Sequence, residues 1–389
     1  MREIRPLSTE DLPELIRIRS IAFGPAGSYE EAVETLRPRI PTTLGSFEDG
    51  HLRSVATMSP FQAYVAGERV ALGGLAGVAT APEARRRGHV AALLRAWFVR
   101  LHEDGVGWSG EFPFDPAFYA RYGYQSVPNG RMLELAPRVF RTGVVADAEA
   151  MAPEDAATLA PLHGPFAQRF SFALTRDDGV RDDWTRITRP PWEKHKANVY
   201  RFDDAYVVFM VDGNVQPEVV VVRDFAYLSG AGRDAVLQFL AAFDGDFEKI
   251  RIHVPPGDSL LLDHGAWRSV RTPLLQVRVV DVVAALERLR APVAATFTLR
   301  VQDDDCGWND GAFAVELAPD GAEVRTLPDF VGDADAALHV RALAALLGQA
   351  APPESLLGDG RAEGSLPALR TLASTTAGHP PFTANVDYY

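Results

Sequence analysis

Cysteine is almost missing from this chain: Cys306 stands alone in 389 residues. An internal disulfide is therefore excluded, and so is a cysteine-based zinc site. The nine histidines form no H-x-x-x-H pair and no carboxylate cluster, so no metal is expected. No apolar run reaches the roughly 18 residues that a spanning helix needs. The opening MREIRPLSTEDL has no apolar core of a signal peptide, and a cytoplasmic protein with no membrane partner is the expectation. Positive charge is also scarce, with 39 Lys and Arg against 52 Asp and Glu, a net −13. Phosphate backbones demand basic surface, so nucleic acid is not an expected partner. The same acidic field would concentrate cationic acceptors such as amines, and it serves solubility equally well. Neither G-x-S-x-G nor a Walker loop occurs, which removes the simplest serine-hydrolase and nucleotide-hydrolase readings.

What is present suits a multidomain globular protein. The chain is 47% hydrophobic and 23% charged, long enough for two or three domains. Ser8, with an acid three residues on, predicts a helix start. A second helix is expected over Tyr29 to Arg37, ended by Pro38. Strands are expected at Leu52 to Met58, Gln62 to Ala66 and Arg69 to Thr80, with Gly67-Glu68 as a hairpin turn. A long helix over Gly88 to His102 follows, then a strand at Val106 to Ser109, a short helix from Pro116 to Tyr122 and a strand at Arg131 to Leu135. The order helix, helix, strands, helix, strand then returns between residues 141 and 290. This second unit has strands near Val199, Ala205 to Val211 and Glu218 to Leu228, a helix near Arg233 to Phe243 and a strand at Lys249 to Val254. A third unit, 291–389, opens with strands at Ala295 to Val301 and Gly311 to Leu317 and ends on an apolar, aromatic tail. Termini are ordinarily polar and frayed, so this one is expected to be tucked in.

Three segments carry chemistry. Gly73 to Thr80 is a Gly/Ala-rich strand, and Arg85-Arg86-Arg87-Gly88 lies between it and the long helix. A glycine turn feeding a helix N-terminus presents free N–H groups and the positive end of the helix dipole, which suits a pyrophosphate. The arginines add charge for further phosphates. Phe118-Tyr119-Ala120-Arg121-Tyr122-Gly123-Tyr124 is an aromatic helix capped by glycine, and packing accounts for most of its rings. Gly230 to Ala235 matches G-x-G-x-x-A between a strand and a helix. That supports a nicotinamide or flavin enzyme only weakly. Its place in the repeat makes it the second unit's counterpart of the arginine turn, without the arginine. Asp303-Asp304-Asp305 lacks the alternating ligands of a calcium loop and is expected to be a solvated turn.

The R-R-R-G turn, followed about thirty residues later by F-Y-x-x-x-G-Y, resembles the coenzyme A loop and catalytic segment of the GNAT acetyltransferase superfamily. Arg85 and Gly88 match its R/Q-x-x-G-x-G/A pattern, while Val90 replaces the small last residue. The whole chain resembles the Eis-like (enhanced intracellular survival) branch. The resemblance implies an α/β (α+β) fold with tandem GNAT-like domains on mixed central sheets and a C-terminal sterol-carrier-like domain. Their spans would be 1–140, 141–290 and 291–389, the second degenerate. It implies acetyl-coenzyme A as co-substrate, held by Ala76, Val78 and Thr80 along the strand and by Arg85, Arg86, Arg87, Gly88, His89 and Val90 at the turn. An N–H from the strand would stabilise the tetrahedral oxyanion. It further implies Tyr119 as the acid for the departing thiolate and the C-terminal carboxylate of Tyr389 as the base. A phenol of pKa about 10 matches a thiolate's basicity. The acceptor would be a primary amine: an aminoglycoside, a polyamine, a lysine side chain or a more apolar amine. Phe23, Glu111 and Asp387 would line its site, since the acids that family members carry after the N-terminal aromatic and before the last residue are here Pro25 and Tyr388. A hexameric homo-oligomer is implied as well. A non-catalytic coenzyme A or lipid-binding protein on the same domains is the alternative.

Overall fold

The computed structural model describes residues 2–25, 27–145, 147–176, 183–188, 196–212, 219–260 and 274–387. The chain builds three sheets. The strands of the first part are β1 (Arg2–Pro6), β2 (Thr43–Glu48), β3 (His51–Val65), β4 (Glu68–Thr80), β5 (Trp108–Glu111) and β6 (Gln125–Val127). Next come β7 (Arg131–Leu135), β8 (Glu149–Met151), β9 (Asn198–Arg201), β10 (Ala205–Asp212), β11 (Val219–Tyr227), β12 (Lys249–Val254) and β13 (Leu275–Val279). The last part holds β14 (Ala295–Gln302), β15 (Gly311–Ala318), β16 (Gly321–Thr326), β17 (Ala336–His339) and β18 (Ala362–Gly364).

The sheets run β1-β2-β3-β4-β5-β13-β6, then β7-β12-β11-β10-β9-β8, then β16-β15-β14-β17-β18. Two strands cross over between the first two. β13 slots antiparallel between β5 and β6, while β7 leaves the first part of the chain to pair antiparallel with β12. Each sheet thus closes only with a strand from the other part, which ties the two units together.

Both units carry one parallel pair, β4 with β5 and β11 with β12. Parallel neighbours need a crossover, and each has a helix in it. α3 (His89–Glu103) joins the first pair and α7 (Gly230–Ala241) the second. α1 (Leu12–Phe23) and α2 (Tyr29–Leu36) lie between β1 and β2 in the chain and pack on the face that carries Val55 and Ala79. α3 and the short α4 (Pro116–Ala120) cover the other face, where Leu93, Leu94, Trp97 and Tyr119 share a core with Met58 and Leu75. In the second part lie α5 (Ala160–Ala167) and α6 (Asp183–Thr188).

Local expectations held where the signal was local. Ser8 and Asp11 form the capping box that starts the first helix, with the Ser8 N–H donating to Asp11 at 2.7 Å. The strands expected at 52–58 and 62–66 are instead one strand, β3. Pro60 within it occupies an exposed position, and the ladder with β4 runs straight past it. The second helix ends at Leu36, one residue short of the expected Arg37, and Pro38 falls in the 3-10 turn Arg37–Thr42 that follows, since a proline fits a first helical turn. β1 and β2, unmarked in the sequence analysis, add the outer edge of the first sheet. Asp303 is not solvated: it is buried and takes a two-pronged ion pair from Arg278 of β13 at 2.9 and 2.8 Å. Among the described residues no helix is long and apolar enough to cross a membrane.

Candidate active site

β4 and β5 are paired only from Leu72↔Trp108 to Leu75↔Glu111, and beyond that point they part. The cause lies in β4 itself. Its ladder with β3 skips a place, so that Gly77 and Val78 face the single residue Ala56. Such a bulge bends the strand that carries the extra residue. Gly77 holds a φ of +56°, a left-handed conformation natural to glycine. The bend swings residues 76–80 away from β5 and leaves their backbone groups on that side without a ladder. Ala76, Val78 and Thr80 all lie on this stretch. Thr80 is pinned from β3 by Ser54, oxygen to oxygen at 2.9 Å.

The arginine turn closes the open end. Gly88 caps α3 at φ +79° and Arg86 sits at φ +61°. Two successive turns of the backbone into this region aim the following N–H groups outward, and the first-turn amides of α3 have no intrahelical acceptor. Arg85, Arg86, Arg87 and Gly88 are exposed. The Arg87 side chain pairs with Glu48 at 2.8 Å, and Arg2 donates to the Arg87 carbonyl at 2.6 Å. These bonds hold the turn from below and use its carbonyls, not its amides. His89 is buried, its Nδ1 2.9 Å from the Ser46 hydroxyl, so it offers a ligand its backbone only. Burial, then Arg2, keeps its pKa below the ordinary histidine value. Val90 is half-buried against the core of α3 and does not obstruct the turn.

Tyr119 lies buried on the α3 side of the sheet, with Phe118 at 5.0 Å, Phe114 at 5.7 Å and Tyr124 at 6.0 Å, ring to ring. Gly123 ends that segment at φ +82°. A Cβ there would fall 1.6 Å from Arg278 Nη1, which donates to the Tyr122 carbonyl at 2.8 Å. Tyr124 is locked by Ser109, which in turn donates to Gly73 of β4.

Glu111 occupies the point where the strands part. It is 2% exposed, and burial pushes its carboxyl up to about 9. Its ladder neighbours are Leu75 on one side and Gln276 on the other. Gln276 spends its amide N–H groups on the Pro116 carbonyl and the Ser126 hydroxyl. One carboxyl oxygen of Glu111 and the amide oxygen of Gln276 are left buried without a hydrogen-bond donor. Two buried oxygens without a partner at adjacent ladder positions are uncommon in a packed core.

The C-terminal tail is docked residue by residue. Phe172 and Tyr64 bond backbone to backbone, as do Thr175 and Gln62, so segment 171–175 extends β3. The tail then adds to that segment through Pro380 and Phe382 on Ser171. Phe382 packs on Phe170 and His253. The Thr383 hydroxyl donates to the Phe172 carbonyl at 2.7 Å, and its backbone N–H donates to Asn129 Oδ1 at 2.7 Å. Asp387 is buried and bound by Arg176, both oxygens at 3.0 Å from Nη2. Tyr388 and Tyr389 lie outside the described residues.

Residues 3–127 match the acetyltransferase (GNAT) domain family, and residues 173–279 match a second acetyltransferase (GNAT) domain family. Residues 282–384 match the sterol carrier protein domain. The chain belongs to the GNAT acetyltransferases. It has the three-unit Eis-like fold. Streptomyces griseus has a relative named an uncharacterized N-acetyltransferase, 27% identical over 96% of this chain and 95% of its own. Streptomyces coelicolor has another of that name at 27%, covering 83% and 84%. A GCN5-related N-acetyltransferase from Anabaena variabilis superposes over the full length of both chains with a TM-score of 0.88 at 21% identity. Eis1 from Mycobacterium abscessus does so over 99% and 100% with a TM-score of 0.79 at 20% identity.

In this GNAT acetyltransferase, then, the bulged strand and Glu111 meet at the wedge where β4 and β5 part, Tyr119 shares a core with Leu75 of that strand, and the arginine turn follows the end of β4. Phe23 is at the far end of α1, 58% exposed, with the Arg19 guanidinium over its ring at 5.1 Å. Asp387 is held by the second unit. Gly230 of the G-x-G-x-x-A segment opens α7 under a Ser229 cap, and Gly232 makes room for Asp204, whose Oδ1 would lie 2.1 Å from a Cβ there. Packing explains that glycine without a nucleotide. Sequence reasoning missed Gln276, Arg39 and Arg176. Gln276 and Arg176 meet their partners through segments distant in the chain, and no local signal marks any of the three.

Proposed function

We propose that this acetyltransferase moves the acetyl group of acetyl-coenzyme A to a primary amine by direct attack in a ternary complex. The observation that carries the reading is the parting of β4 from β5 immediately after Leu75 and Glu111, with the Gly88 turn following β4 in the chain. An extended pantetheine arm fits the unladdered edge of residues 76–80, and the α3 amides with Arg85 and Arg86 suit the pyrophosphate. The thioester would then lie at the vertex, where a β4 N–H faces the developing oxyanion. Tyr119 stands on the same face as the vertex and would protonate the departing thiolate. The tail, docked as far as Asp387, would deliver the Tyr389 carboxylate as the proton acceptor. The products are an amide and the free thiol, and one proton is released when the acceptor enters as an ammonium.

Thiol release from acetyl-coenzyme A, measured across a panel of amines, tests this. Turnover that collapses in Tyr119→Phe while acetyl-coenzyme A binding persists supports the reading. Tight coenzyme A binding with no turnover on any amine would instead favour the non-catalytic alternative.

A further inference from the structure

The α1 face of the first sheet holds two guanidinium groups with no counter-charge among the described residues. Arg19 of α1 reaches the bulge, its Nη1 3.5 Å from the Gly77 carbonyl. A Cβ on residue 77 would fall 2.0 Å from that nitrogen, so the glycine is what admits the arginine. Arg39 stands one row away. Its carbonyl accepts from the Thr43 hydroxyl at 2.7 Å, Thr43 is the ladder partner of Thr57, and Thr57 is the partner of Ala76. Both side chains belong to part-buried residues. Burial, with repulsion from Arg39, brings the Arg19 pKa down to about 10. Burial lowers Arg39 as well, with repulsion from Arg186 of α6.

Their surroundings make the vacancy informative. Three arginines of the same unit are matched: Arg5 with Asp11, Arg17 with Glu14 and Glu83, Arg53 with Glu83. The fully buried Arg176 and Arg278 are matched too. Arg19 and Arg39 make no ion pair among the described residues. Desolvating a cation without a partner is costly, and a site that does so is built to receive an anion. The chain as a whole is acidic, so the local sign runs against the background field. The acids that a polycation pocket would use are also missing here, because residue 25 is proline and Asp387 is committed to Arg176.

We infer that the acceptor amine carries an anionic group, a carboxylate or a phosphate, which docks between Arg19 and Arg39 while the amine faces the vertex of the wedge. The assignment rests on the acetyl-transfer reading and replaces the polycationic acceptor with a zwitterionic one. Guanidinium forks suit both anions through paired N–H donors.

Thiol release is to be compared for 4-(aminomethyl)benzoate, the matching phosphonate, the neutral carboxamide and an aminoglycoside. The expected result is a kcat/KM for one or both anionic amines about 10- to 100-fold above the carboxamide, the size of a charge-assisted contact. Which anion leads names the source. Arg19→Gln and Arg39→Gln should erase the difference between acid and carboxamide at an unchanged melting temperature. Equal, measurable rates for the acid, the phosphonate and the carboxamide, preference for the aminoglycoside, or variants that keep the acid's advantage would overturn the inference. Calorimetric binding of 4-(acetamidomethyl)benzoate and its carboxamide, with coenzyme A present, reads the same preference without turnover. Anion-selective binding lost in the arginine variants, alongside zero thiol release, would sink acetyl transfer and keep the anion site. No selectivity in either measurement sinks the anion site.

Discussion

Arg176 binds Asp387 through one nitrogen shared between both carboxylate oxygens, each at 3.0 Å, and the arginine side chain is wholly buried. Its other nitrogen reaches Asp224 at 2.5 Å, which also takes the Tyr206 hydroxyl at 2.6 Å. The second unit thereby grips the chain two residues before its last. Asp387→Ala leaves a buried guanidinium with one counter-charge fewer and is expected to cost about 3–5 kcal/mol. If the tail carries the base, turnover falls with it while KM for acetyl-coenzyme A holds. Urea unfolding and initial rates on the same preparation check both. Unchanged turnover in a folded Asp387→Ala would detach the tail from catalysis.

Deleting Tyr389 alone gives a sharper reading of the tail. Turnover is expected to drop by orders of magnitude, with acetyl-coenzyme A binding intact by calorimetry. A deletion variant as fast as the parent would rule out the terminal carboxylate as base.

Glu111 makes stability depend on pH in a definite direction. Its carboxyl keeps a proton up to about pH 9 in the folded chain, against an ordinary value of 4.5. Between those values the folded state holds the extra proton, so its contribution is complete below pH 4.5 and is lost as pH rises toward 9. Glu111→Gln removes the titration and should melt higher than the parent at pH 8 to 9, by several kcal/mol in stability. Scanning calorimetry from pH 5 to 9 measures it. An identical pH slope in the variant would show that the carboxyl is already ionised in the fold.

Acid acts on the tail's bed in the opposite sense. His163 and His253 are both held near pKa 4 by burial, and His253 Nε2 donates to the backbone carbonyl of Asn129 at 2.6 Å. The unfolded chain takes these protons first, so stability falls as pH drops from 6.5 to 4, by about 3 kcal/mol per histidine. His253→Gln should flatten that limb. Retention of the full acid slope in His253→Gln would assign it to other groups.

Gly77→Ala tests the bulge. A side chain at φ +56° costs about 1–2 kcal/mol and must also displace Arg19. Weaker acetyl-coenzyme A binding together with a lower melting temperature is expected. Normal binding would mean that the wedge does not depend on this bend.

The sequence by itself determined what short-range chemistry fixes. Gly88 and its arginines mark a helix start, because a left-handed turn and free first-turn amides need only neighbouring residues. The short helix that carries Tyr119 is legible for the same reason, since Pro116 and Gly123 bracket it. The two-fold order of helices and strands follows from periodicity, and so does the division into three units. Only the tertiary structure decided the rest. The exchange of β7 and β13 sets Gln276 against Glu111, and nothing in either strand's pattern says which sheet it joins. Asp303 looks solvated in sequence and is buried because Arg278 comes from another unit. Asp387 looks available to a substrate and is taken by Arg176. The charge environment of Arg19 and Arg39 is likewise a sum over segments far apart in the chain. Burial and counter-charge are properties of contacts, and those contacts exist only once the units have closed on one another.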